Sequence, residues 1–432
     1  MDLFELERSS ASEARTSRPR GRCGALLLCL ALVLTACTAP GKQTRFRYDP
    51  DYGVESDEFR WAIGALGAPL VPGNQLIFLQ NGDQFFPSML QEMREARSSI
   101  NMEMFIFEDD DIASSFADVM IERARAGVHV HLLVDAAGAR FGKLGDRLQK
   151  GGVELEVYNP VRLGTLYRVN DRSHRRELIV DGRVAFTGGA AIDRRWKGDT
   201  RNRDEWRDLM VRIEGPVVAQ MQAIFMEDWL HTTGEVLHGK AQFPEPLPAG
   251  NMQAQAVKSS YAEPNSMSKL LHYMLIQAAR RRIWIQNAYF MPDRQIREGL
   301  IRAVRRGVNV RVMVPRRYDF PLLHHAVHYE YRRLLEGGIE LCEYRPSMLH
   351  TKLMVVDDLW TTIGSMNLVN RSMALNAEAN LLVLDHGFAE QAERIYQQDG
   401  GECEFIDPEV WRQRTLLERA RDGVFRFLAR PF

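Results

Sequence analysis

Internal repetition is the constraint that most limits what this chain can fold into. His174-Arg-Arg176-Glu-Leu-Ile-Val-Asp181 and His350-Thr-Lys352-Leu-Met-Val-Val-Asp357 lie 176 positions apart at both the histidine and the aspartate. Three further blocks recur in the same order: 99–107 with 282–290, 126–135 with 306–315, and 148–160 with 334–346, at offsets of 180 to 186. Blocks that return in one order describe a single unit built twice.

Each unit alternates short apolar runs fit for strands with amphipathic stretches predicted as helices over 86–97, 112–126, 266–280 and 295–306. That alternation predicts an α/β class: a duplicated α/β sandwich of two similar halves with mixed, largely buried sheets. The expected division is 67–237 for the first half, a proline-rich connector over 238–255, and 256–432 for the second half. Ten extra residues between Pro160 and His174 set the first half apart, and stand equally as a lid or as an inert surface loop.

The residue types in the motif suit phosphodiester chemistry. A neutral imidazole can attack phosphorus, and a second can protonate the departing alcohol. Cations two residues on can hold the phosphate oxygens. One His-x-Lys-x(4)-Asp pattern arises often by chance; two, each followed by a small-residue turn (Gly188-Gly189 and Gly364-Ser365), do not.

The doubled motif resembles the phospholipase D superfamily, and within it the bacterial cardiolipin synthases. Trp206-Arg-Asp208-Leu-Met-Val-Arg212, continuing to Phe225-Met-Glu227-Asp228-Trp229, is similar to their segment after the first motif. Arg371-Ser372-Met-Ala-Leu-Asn376-Ala-Glu378-Ala-Asn380 is similar to the one after the second. The resemblance spans roughly residues 67–400 and implies one active site shared by the two halves. It implies His174 as nucleophile, His350 as acid/base, Arg176 and Lys352 on phosphate, and Asp208 and Glu378 as carboxylates pairing with the histidines. Asp181 and Asp357 complete the catalytic motifs as loop-orienting residues, and Gly189, Ser365 and Asn367 are expected to line the phosphate. Two positions depart from the family pattern: arginine at 176 instead of lysine, and Ala191 where asparagine is usual.

No cofactor or metal is implied, because the basic side chains supply what a metal would contribute. His324, His325 and His328 are expected to form a polar helix face rather than a ligand set. The implied partners are membrane phospholipids, phosphatidylglycerol first and phosphatidylethanolamine second. Hydrolytic phospholipase D action is the nearest alternative. A net charge of −1 argues against nucleic acid, which wants surplus Lys and Arg. An inactive lipid-binding scaffold would rest on Arg176 and Ala191 alone.

Arg18, Arg20 and Arg22 precede an apolar run from Gly24 to Leu34, ending Leu34-Thr-Ala-Cys37. Basic flank, short apolar core and small residues predict an export signal over 1–36, and the run is short of the ~20 residues a span needs. Its end resembles a bacterial lipobox, with Cys37 lipidated, 37–66 as a linker, and the protein anchored in the cell envelope facing the periplasm. Cys342 and Cys403 could pair in an oxidising compartment, but Cys342, in a strand-like run, reads more safely as a free core cysteine. The tail from 408 reads either as packed on the second half or as lying on a membrane.

Overall fold

The computed structural model describes residues 45–162, 168–261 and 266–429. The expected export signal and Cys37 lie outside these residues, as does the middle of the 160–174 insertion. No helix among the described residues is long and apolar enough to cross a membrane.

Within the segment expected as a linker, Val54, Phe59 and Ile63 belong to the second half's core. Helix α1 (Asp57–Gly64) is capped by the Ser56 hydroxyl, and Phe59 meets the Trp360 indole edge-on at 5.6 Å. The indole N–H donates to Val54 O at 2.9 Å.

In the first half come β1 (Val71–Gln80), α2 (Asn81–Glu95), β2 (Ser99–Met104), α3 (Asp111–Arg125), β3 (His129–Asp135), α4 (Leu144–Lys150), β4 (Glu154–Tyr158), β5 (Arg176–Val180), β6 (Val184–Gly188), β7 (Leu209–Glu214) and α5 (Val217–Thr233). The second half repeats the plan with β8 (Met252–Ser259), α6 (Met267–Ala278), β9 (Arg282–Asn287), α7 (Arg294–Arg305), β10 (Asn309–Pro315), α8 (Pro321–Glu336), β11 (Glu340–Tyr344), β12 (Lys352–Val356), β13 (Trp360–Gly364), α9 (Asn370–Ala374), β14 (Asn376–Leu384) and α10 (His386–Gly400). Then follow β15 (Cys403–Phe405), α11 (Pro408–Arg412) and α12 (Leu416–Leu428).

Spatial order in the first half is β4-β3-β2-β5-β6-β7-β1, and in the second β11-β10-β9-β12-β13-β14-β8. The two orders are the same path walked twice. In each half the first three strands of that path are parallel and the rest antiparallel. The expected pair of sheets is in fact one, because β1 pairs antiparallel with β8 and joins the halves edge to edge. That pairing removes two exposed edges that would otherwise offer unpaired backbone groups.

A shared hydrophobic layer lies under α5 and α10. It takes Ile179, Ala185 and Trp229 from the first half and Leu353, Val355 and Phe388 from the second. Phe78 and Phe388 stack across the junction at 4.2 Å. Burying each such side chain contributes about 1.5–3 kcal/mol, so the two motif strands are held in one frame.

Cys342 is not free. It is bonded to Cys403, because β15 pairs antiparallel with β11 and brings the two Cα atoms to 5.6 Å.

Candidate active site

The two motif histidines stand immediately before β5 and β12, where each chain segment crosses toward the other half. His174 N–H donates to Ala377 O at 2.8 Å, and His350 N–H donates to Arg207 O at 2.7 Å. The residue following each of those carbonyls is a carboxylate. His174 Nδ1 therefore sits 2.9 and 3.1 Å from the Glu378 oxygens, and His350 Nδ1 sits 2.8 Å from Asp208 Oδ2. Each imidazole takes its carboxylate from the opposite half. A carboxylate on Nδ1 fixes the tautomer and leaves Nε2 as the reactive nitrogen.

The cations follow. Arg176 Nη2 lies 2.8 Å from His174 Nε2, and Lys352 Nζ lies 3.0 Å from His350 Nε2. Register places both at the same point of the sheet, Arg176 opposite Met104 and Lys352 opposite Asn287. Burial, then Arg176, pushes the His174 imidazole down to about 4, against the pull of Glu378. Burial and then Lys352 hold His350 well below its ordinary value. Arg176 also acts on His350, and Lys352 on His174, so the two motifs share one electrostatic field. Burial lowers Lys352 well below its usual range. For Asp208 burial works upward, but His350 and Lys352 outweigh it and keep the carboxylate low. The result is two neutral imidazoles in a buried cationic pocket, a combination suited to an anionic diester.

Aromatic rings wall the site. Phe105 packs 5.0 Å from the His174 ring, while Trp196 and Trp206 lie 5.2 and 5.1 Å from His350. Trp196 Nε1–H also donates to Asp208 Oδ2 at 2.8 Å. Tyr289 faces His350 at 6.2 Å and donates to Asp319 at 2.6 Å. Sequence reasoning named none of these as site residues. Phe105 and Tyr289 sit in the repeated strand blocks and Trp206 opens the segment after the first motif, whereas Trp196 carried no signal.

The chain's sequence matches the family model described as the PLD-like domain of cardiolipin synthase over residues 89–229 and 273–399, both motifs included. This chain belongs to the PLD-like cardiolipin synthase family. The probable cardiolipin synthase YwiE of Bacillus subtilis is 32% identical over 86% of this chain and 75% of its own length. Cardiolipin synthase A of Pseudomonas putida is 34% identical over 84% and 75%. Among solved structures, the phosphatidylserine synthase of Haemophilus influenzae superposes with a TM-score of 0.67 at 15% identity. That match covers 86% of this chain and 98% of the other.

Several expected site residues lie behind the histidines. Asp181 and Asp357 are not at the reacting end of the motif. Both adopt positive φ after their strands, and each carboxylate collects three backbone N–H groups: Arg97, Ser98 and Ser99 for Asp181, and Arg280, Arg281 and Arg282 for Asp357. They tie the far end of the motif strand to the start of its neighbour. Gly189 does not offer its amide to phosphate, since its N–H donates to Leu209 O at 3.1 Å. A Cβ there would stand 2.2 Å from Asp208 Oδ1, so glycine is what lets the carboxylate reach His350. The Ser365 hydroxyl donates to Glu378 Oε2 at 2.6 Å and steadies the carboxylate behind His174. Asn367 is buried, with its amide oxygen unpartnered among the described residues, while Ala191 fills the matching place in the first half's core. Two of the three helical histidines bond carboxylates, His325 with Asp422 and His328 with Glu343, while the His324 ring packs against Tyr318. Among the described residues no group of His, Cys, Asp and Glu is placed to hold a metal.

Proposed function

We propose that this protein is a phosphatidyltransferase working through a phosphohistidine, with phosphatidylglycerol as donor and a second phosphatidylglycerol as acceptor. The observation that carries the reading is the crossed pairing, in which each buried neutral imidazole is oriented by the other half's carboxylate.

In this reading Arg176 and Lys352 take the phosphate oxygens, releasing the imidazole nitrogens they cap in the empty site. Asn367, with its amide turned over, adds a donor. His174 Nε2 attacks phosphorus and forms the P–N bond. The P–O bond to the leaving alcohol breaks, and that oxygen takes a proton from His350 Nε2. The diester's negative charge offsets the cations that depress His350, and so lets it carry the proton. Next the acceptor hydroxyl gives its proton to His350 and attacks phosphorus, and His174 leaves. With phosphatidylglycerol in both roles, the products are cardiolipin and glycerol. The aromatic wall around His350 keeps water from replacing the acceptor. Phosphatidylethanolamine is a second candidate donor. Anchorage through a lipidated Cys37 in a bacterial envelope would keep the site beside its bilayer substrates.

The test is to incubate the purified mature protein with phosphatidylglycerol, with and without phosphatidylethanolamine, and resolve the lipids by mass. Cardiolipin from the parent, lost in both His174→Ala and His350→Ala, is the expected result. Phosphatidic acid alone would make it a hydrolase, and unchanged lipids would move the reading to another diester or to a decayed site.

A further inference from the structure

We infer that the C-terminal helix α12 seats the protein on an anionic lipid bilayer through its outward face. The helix is attached the wrong way round for water. Its inward contacts are polar: Asp422, 1% exposed, takes His325 at 3.1 Å and Arg414 at 2.7 Å, and Arg426 donates to Glu330 at 2.9 Å. Phe425, stacked on His325 at 4.7 Å, and Ala429 at its end face inward, but the other apolar residues point out. Leu416 and Leu417 are 82% and 81% exposed, Val424 59% and Leu428 53%. With Ala420, also exposed, they fall within an arc of about 120° at helical spacing. A helix packed for solubility alone would present the reverse arrangement.

Charge decides the occupant. Beside α12, between α8 and α11, lies a cleft of 540 Å³ lined by Arg332, Arg333, Arg412, Arg414 and Arg419 against Glu336 and Asp422. Arg419 and Arg421 flank the apolar arc. A second copy of this face would set those arginines against their equals. Arg332, Arg412 and Arg414 already pair with Glu336, Glu409 and Asp422, so anionic head groups would neutralise the remaining surplus, Arg333, Arg419 and Arg421, while the leucines entered the acyl boundary. The helix also packs on α8, whose exposed Phe320 (60%) follows Asp319, the acceptor of the Tyr289 hydroxyl beside His350. The inference deepens the phospholipid reading and leans on it only in naming the bilayer's chemistry.

Hydrogen exchange of the full chain, read on peptides covering 416–428, tests it whatever residues 1–44 do. Vesicles of phosphatidylglycerol in phosphatidylcholine should slow exchange there about a hundredfold, the scale of burying the two leucines. Pure phosphatidylcholine should do little. Leu416→Glu with Leu417→Glu should lose the protection but keep the exchange pattern elsewhere and the turnover of a water-soluble short-chain diester. Protection that needs no vesicles but rises with protein concentration would assign the face to a second copy and overturn the inference. So would no vesicle effect, or protection kept in the double variant. Vesicle protection with no lipid product would instead sink the proposed activity and leave the docking face standing.

Discussion

Asp208→Asn separates the two histidines by role. Asp208 is fully buried and accepts from His350 Nδ1 and Trp196 Nε1, both at 2.8 Å, and from Leu209 N–H. Asparagine keeps the volume but removes the charge that would stabilise an imidazolium at His350. Two unit charges about 4 Å apart at an effective dielectric near 20 interact by roughly 4 kcal/mol, which is about a thousandfold in rate. The loss should fall on steps in which His350 holds a proton. A p-nitrophenyl phosphodiester of a diacylglycerol has a leaving group that departs without one. Rapid-quench measurement on that substrate should therefore show D208N releasing a near-normal burst, then stalling as phosphohistidine. Glu378→Gln, behind His174, should instead slow the burst itself. The opposite pattern, burst lost in D208N and kept in E378Q, would refute the assignment of His174 as nucleophile. Bursts and turnover unchanged in both would refute the crossed pairing as catalytic geometry.

Arg176→Ala removes a buried cation 2.8 Å from His174 Nε2 and should cut kcat/KM by about 10–100-fold, the worth of a charge-assisted contact. Arg176→Lys should stay within about tenfold of the parent, and an alanine variant near parental activity would take Arg176 off the phosphate. Glu177 is fully buried, neither of its carboxylate oxygens has a partner among the described residues, and burial pushes it up to about 8. The folded state thus holds a proton that the unfolded chain releases near pH 4.5, so stability drains away as pH rises from there through 8. Glu177→Gln should raise Tm at pH 8, by a few kcal/mol of stability at most, and far less at pH 5; equal shifts at both would show the group ionises normally. Cys403→Ser opens a loop of 61 residues and should cost about 4 kcal/mol on chain-entropy grounds, read as a lowered Tm that reductant reproduces in the parent.

The strands, the helices and their repetition were legible because each repeated block carries its own period, and those at 126–135 and 148–160 and their copies carry matching glycines. The helix predicted over 112–126 forms as α3, Asp111–Arg125, and that over 295–306 as α7, Arg294–Arg305. The merger of two sheets into one was not legible. It rests on β1 meeting β8, and β1, with Pro72 and Gly73, has nothing in its sequence to name a partner. Asp208 and Glu378 were found by resemblance, but which histidine each serves depends on how the halves face. Gly189 and Ser365 looked like phosphate-lining turn residues, yet their contacts run backward to the carboxylates, a direction that spacing cannot encode. Cys342 read as core because it is core; only the fold of the residues after α10 brings Cys403 beside it.

The crossed carboxylates make the duplication obligatory and its asymmetry useful. Neither half holds an oriented histidine alone: His174 without Glu378 and His350 without Asp208 would be buried imidazoles with no acceptor for Nδ1–H, a loss of about 1–3 kcal/mol each besides the chemistry. Selection can therefore not relax one half independently of the other. It can differentiate them. The second half keeps Lys352 and Asn367, while the first has Arg176 and Ala191. A guanidinium grips phosphate in fixed geometry, while an ammonium is a compact charge that burial can strip of its proton. In the proposed mechanism, Arg176 lies beside the nitrogen that would stay bonded to phosphorus through the intermediate. Lys352 places a compact charge beside His350, the imidazole that moves protons in the proposed mechanism.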